Sequence, residues 1–131
     1  MNQIEVIELT LGTGKSAERG SLITAHYTGY LADGTIFDSS HQRGKPFETV
    51  IGTGRVIKGW DVGVLGSEYA QAIGYANQLD ASDLPPMQVG GKRKLLVPSH
   101  LAYGERQMGK ILPNSDLTFE IELLDVKTRE G

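Results

Sequence analysis

Side chains able to act as nucleophiles, metal ligands or phosphate binders occur in this chain, but not at the spacings those chemistries need. Gly14-Lys15-Ser16 has the ending of a phosphate-binding loop, yet the first glycine of that motif would fall at position 9, which is Leu9. Gly52, Gly54 and Gly59 miss the dinucleotide-binding spacing. His26, His41 and His100 are scattered and form no pair of the His-Glu-x-x-His kind, so they read as loop or strand residues rather than ligands. No serine sits in a Gly-x-Ser-x-Gly elbow. Cysteine is absent, which removes thiolate nucleophiles, a disulfide framework and zinc–sulfur sites. No metal and no cofactor is expected. One carboxylate stands apart. Asp38 directly follows Phe37, and a desolvated carboxylate needs a partner. Arg43 is the candidate, with a plain surface pair as the alternative.

The elements that must position these residues follow from composition and period. The chain has 131 residues, a net charge of −3 and 39% hydrophobic residues. That suits one domain, residues 1–131, neither disordered nor embedded in a membrane. The acidic balance argues against nucleic acid as a partner. Lys92-Arg93-Lys94 is basic, but a strand splits it across two faces, so it reads as solvated sheet surface. The N-terminal residues lack the charged and apolar regions of a signal peptide, which points to the cytoplasm, a processed secreted protein being the alternative. Strands are expected at 4–10, 21–30, 35–39, 47–51 and 92–98, with Asp33-Gly34 as a hairpin turn. His41 to Pro46 and Ser99 to Pro113 read as loops. Leu117, Phe119, Ile121 and Leu123 alternate with Thr118, Glu120 and Glu122, the clearest strand in the chain. Val56, Ile57, Trp60 and Val64 recur at helical spacing and predict a helix over 55–65, weakened by Gly59 and Gly63. The expected class is α+β: an antiparallel sheet wrapped on one short helix.

Several blocks, in order, carry a resemblance. His26-Tyr27-Thr28-Gly29-Tyr30-Leu31, Asp33-Gly34-Thr35 and Phe37-Asp38-Ser39-Ser40 are followed by Arg43 and Pro46-Phe47. Val56-Ile57-Lys58-Gly59-Trp60-Asp61, Gly90-Gly91-Lys92-Arg93-Lys94-Leu95, Leu101-Ala102-Tyr103-Gly104 and Leu117 to Leu124 complete the set. Together they resemble the FKBP type of peptidyl-prolyl cis–trans isomerase over nearly the whole chain. The resemblance implies a five- to six-stranded antiparallel sheet curled round the helix, with an apolar pocket between them. It implies that Tyr27, Phe37, Asp38, Tyr103 and Phe119 act on the substrate. Arg43, Phe47, Val56, Ile57, Trp60 and Ile111 would help bind it, Trp60 as the floor. The Ile57 backbone N–H and the Tyr103 hydroxyl would donate to ligand carbonyls. Proline-containing polypeptides are the implied partners, and family members bind the macrolides tacrolimus and rapamycin. Taken singly, Phe37, Phe47, Phe119 and Trp60 read as core, and only their joint pattern reads as a pocket. A binding or chaperone module without turnover is the alternative function. Lys110 departs from the pattern, falling where many members carry an apolar residue.

The larger departure is an insertion at about 66–86. Ser67 is suited to cap a helix and Glu68 to its first turn. Tyr69, Ala72, Ile73, Ala76 and Leu79 share a face at helical spacing, and Pro85-Pro86 ends the pattern. A second helix over 67–80 is expected, then an extended return to the sheet. It packs on its own domain, or it presents Tyr69, Ile73 and Tyr75 as a dock for a client or a second copy. No pocket residue lies within it.

Overall fold

The computed structural model describes residues 2–128. Strands β1 (Glu5–Thr10), β2 (Leu22–Tyr30), β3 (Ile36–Ser39), β4 (Phe47–Val50), β5 (Lys92–Val97) and β6 (Leu117–Lys127) form one sheet. Its order is β1-β5-β6-β2-β3, with β4 pairing the other end of the β2 edge, and every pairing is antiparallel. The expected alternation is realised on the central pair. Ile23, Ala25, Tyr27, Phe119, Ile121 and Leu123 are buried on one face, while Thr118, Glu120 and Glu122 lie on the other. Register sets Tyr27 against Ile121 and Gly29 against Phe119.

The basic run of β5 divides as its period requires, but not into a solvated surface. Arg93 is 1% exposed on the core side. It donates to Glu8, to the Gly63 carbonyl at 3.0 Å and to the Pro85 carbonyl at 2.6 Å. One buried guanidinium thereby ties together β1, the helix and the end of segment 66–86.

That helix, α2, spans Lys58–Leu65 rather than 55–65. The shortening has a cause. Asp61, wholly buried, accepts from the Gly52 N–H at 2.7 Å and the Gly54 N–H at 3.1 Å. This holds the preceding residues in turns. The two glycines that weaken α2 also seat it. A Cβ on Gly59 would lie 2.5 Å from Val97, and one on Gly63 2.6 Å from Leu95, so the helix backbone rests directly on β5. A further one-turn helix, α1 (Ser40–Arg43), replaces the loop expected after Ser39, which caps it by accepting from the Gln42 N–H.

Segment 66–86 departs most from expectation. Helix α3 covers only Ser67–Ala72, followed by a 3-10 turn at Ala76–Gln78. Gly74 sits at φ 78, its N–H bonded to the Gln71 carbonyl and that of Tyr75 to Ala70, a left-handed stop that apolar spacing does not reveal. Ser67 does not cap the helix. Gly66 holds that position, and the Ser67 hydroxyl instead donates to the Ala81 carbonyl and accepts from the Leu84 N–H. Ala72 and Ala76 are exposed, whereas Tyr69, Ala70 and Leu79 enter the core. The segment therefore packs on its own molecule, and buried Tyr69 offers no docking surface. The extended return does form: Leu79 bridges Ile4, Met87 bonds Val64 and Ala17, and Gln88 bridges Ser16.

Candidate active site

Between α2 and the inner face of the sheet lies a cavity of about 240 Å³. Larger concavities lie elsewhere, one of about 480 Å³ beside Arg19 and Tyr69, but this one is walled by aromatic rings. Trp60 on α2, 3% exposed, is its floor. Tyr27, Phe47 and Phe119 each meet the indole edge-to-face, at 5.1, 5.8 and 5.8 Å between centroids. Phe37 meets Phe119 in the same manner at 5.7 Å. Such pairs favour this geometry by about 0.5–1.5 kcal/mol beyond area burial. The rings come from four strands and a helix, so each wall is held by a different element.

The polar rim is built from β2, β3 and α1. The Tyr27 hydroxyl donates to Asp38 Oδ2 at 2.5 Å and accepts from Arg43 Nη2 at 3.0 Å. Arg43 Nη1 pairs with Asp38 Oδ1, and its guanidinium lies over the Tyr27 ring. Ser40 steadies this rim from beneath, its hydroxyl taking the Tyr27 N–H at 2.8 Å and contacting His26 Nδ1. Burial, and then the Asp38 carboxylate, push the Tyr27 hydroxyl above its usual pKa, and burial does the same for Tyr103. Both stay protonated donors at neutral pH. Among the described residues, neither the Tyr103 hydroxyl nor the Ile57 N–H has a partner within the chain. Both residues line the cavity.

Nine of the eleven site residues named from the sequence thus line the cavity: Tyr27, Phe37, Asp38, Phe47, Val56, Ile57, Trp60, Tyr103 and Phe119. Arg43 stands behind the wall, holding Asp38. Ile111 is not on the wall. It is 5% exposed within the core, beside a tight turn in which Met108 and Ile111 exchange backbone hydrogen bonds at 2.9 Å. Among the described residues of the lining no nucleophile stands free beside a base, because its one carboxylate is already taken up by Arg43 and Tyr27.

Residues 13–124 match the family model described as FKBP-type peptidyl-prolyl cis-trans isomerase. The chain belongs to this family. Among its relatives is the chloroplastic peptidyl-prolyl cis-trans isomerase FKBP13 of Arabidopsis thaliana, 46% identical over 87% of this chain and 51% of that protein. Another is the FK506-binding protein of Neisseria meningitidis, 42% identical over 96% of this chain and 98% of that protein. The crystal structure of AtFKBP13 superposes with a TM-score of 0.78 at 43% identity, covering 94% of this chain and 91% of that one. The chain therefore spans about half the length of the Arabidopsis relative and nearly all of the Neisseria one.

Around this cavity of the FKBP-type chain, three contributors escaped the sequence. Arg55 joins the lining one step before Val56. Ser40 supports Tyr27. Asp61 fixes the turn that carries Val56 and Ile57. Asp61 left a trace: a carboxylate one residue after Trp60 on an apolar helix, just downstream of a glycine-rich turn full of N–H donors.

Proposed function

We propose that the chain catalyses cis–trans isomerisation of X–Pro bonds in polypeptides, with the aromatic cavity as its active site. The observation that carries this is the pairing of an aromatic floor with two unpartnered donors, the Ile57 N–H and the Tyr103 hydroxyl. Rotation of the amide faces a barrier of roughly 18–20 kcal/mol because conjugation is lost midway. The twisted amide is less dipolar than the planar one, so an apolar, water-poor wall penalises it less. The donors hold the flanking carbonyls while the bond turns. No proton moves and no covalent intermediate forms. The test is isomerisation of a short peptide with an apolar residue before proline. Acceleration over the uncatalysed rate is expected, and none in folded protein would sink the proposal. Phe37→Ala removes the contact with Phe119 and Tyr103→Phe removes a donor, so each should lower kcat/KM by about two- to tenfold with the melting curve little changed. Full activity in both would mean these residues are misassigned.

The same cavity is proposed to take tacrolimus and rapamycin, supported by the FK506-binding name of the Neisseria relative. Quenching of Trp60, the single tryptophan, reads that binding directly. Residues 1–131 are proposed to act as one domain, with 66–86 an added segment outside the site. The cytoplasm is the proposed compartment, consistent with a chain that needs no disulfide. Fractionation of cells decides this, since the Arabidopsis relative is named chloroplastic. No helix among the described residues is long and apolar enough to cross a membrane.

A further inference from the structure

Two of the ten residues lining the cavity carry charge, Asp38 and Arg55. Asp38 is already engaged, one oxygen by Arg43 and the other by the Tyr27 hydroxyl. Arg55 is exposed and forms no ion pair or side-chain hydrogen bond among the described residues. Its backbone is nonetheless well placed, because the neighbouring Gly54 N–H is bonded to buried Asp61. The site thus sets Arg55 on the wall and Arg43 behind it against one carboxylate, in a molecule whose net charge is −3. The local sign opposes the global one. A guanidinium is always charged, offers five donors in a fork, and matches a carboxylate. An extended peptide advances about 3.3 Å per residue, so a side chain one or two residues from the bound X–Pro bond falls within the reach of an arginine.

We propose that Arg55 makes the site selective for proline segments carrying an aspartate or glutamate within two residues of the X–Pro bond. This rests on the cavity being the peptide site, as proposed above. A charge pair at a solvated rim gives a modest factor, about two- to fivefold.

The test uses peptides Ala-Z-Leu-Pro-Phe and Ala-Leu-Pro-Z-Phe with Z as Glu, Gln or Lys. Both kcat/KM and binding, by Trp60 fluorescence, are measured at low salt and at about 0.5 M salt, where screening is nearly complete. In at least one series Glu should exceed Gln by about two- to fivefold at low salt, and the ratio should approach one at high salt. Arg55→Gln should abolish the ratio, and Arg55→Glu should reverse it in favour of Lys. Equal values for Glu and Gln in both series at low salt would overturn the proposal. So would a ratio that survives in Arg55→Gln. A Glu preference in binding that Arg55→Gln removes, without turnover, would support it while overturning the isomerase reading alone.

Discussion

Asp61 carries a carboxyl group into the middle of the molecule, where it is 0% exposed. Burial raises its pKa, and the Gly52 and Gly54 N–H groups pull it back only in part. The folded state therefore keeps this proton to higher pH than the unfolded chain does. Between the ordinary carboxylate pKa and the raised one, the native state binds more protons, so this group's contribution to stability falls as pH rises through that window. Asp61→Asn keeps an acceptor for one glycine and presents an N–H group to the other. It should cost about 1–3 kcal/mol and flatten the decline in stability. Urea melts from roughly pH 4 to pH 7 measure both effects. A decline as steep as in the parent protein would show that some other group titrates. At this scale the aromatic walls were legible only through the family resemblance, since each ring taken singly reads as core. Asp61 and Arg93 were not read, because most of their partners are backbone groups, which every residue has and no sequence marks.

Strand β6 was read from period two because one of its faces is buried, and a slip by one residue would turn that face to water. Strand β6 nonetheless runs on to Lys127, four residues beyond the expected alternation, because a bulge opposite Thr24 and Ala25 lets pairing with β2 continue out of phase. Helix α3 was overextended for a related reason: apolar spacing persists past Gly74, whereas hydrogen bonding does not. Two glycines of this segment allow a comparison. Gly66 has φ 87, and a Cβ there would sit 2.3 Å from the Leu84 carbonyl oxygen. Gly74 has φ 78 with nothing within 4 Å of a Cβ. Gly74→Ala should cost only the left-handed backbone penalty, about 1–2 kcal/mol. Gly66→Ala must also displace the return segment and should cost about 3 kcal/mol or more. Thermal melts of the two variants rank them, and equal losses would mean that the 84–86 backbone yields freely.

For the whole molecule, the cavity draws on residues from 27 to 119 but on none from 66–86. Segment 66–86 lies outside the cavity and yet is not separable from the fold. Tyr69, Ala70 and Leu79 lie in the core, the 78–80 backbone pins Ile4, and Pro85 holds Arg93. Replacing 66–86 with a Gly-Ser linker should therefore lower stability by several kcal/mol, at about 1.5–3 kcal/mol for each large apolar side chain no longer buried. Peptide isomerisation should persist at temperatures where the variant is folded. A variant as stable as the parent would contradict the packing described here. A folded variant that has lost activity would tie the segment to the site.

The central pair of the sheet joins β2 to β6, strands that lie far apart along the chain. During synthesis on a ribosome, Tyr27 leaves the exit tunnel well before Phe119 has been translated. Until β6 arrives, β2 can pair only with its local neighbours β3 and β4, and the apolar face built round Ile23, Ala25 and Tyr27 waits without its cover. Long-range pairing of this kind is slow to nucleate and leaves nascent chains open to aggregation. The pocket thus closes only once β6 has emerged, and until then its apolar walls depend on whatever shields them.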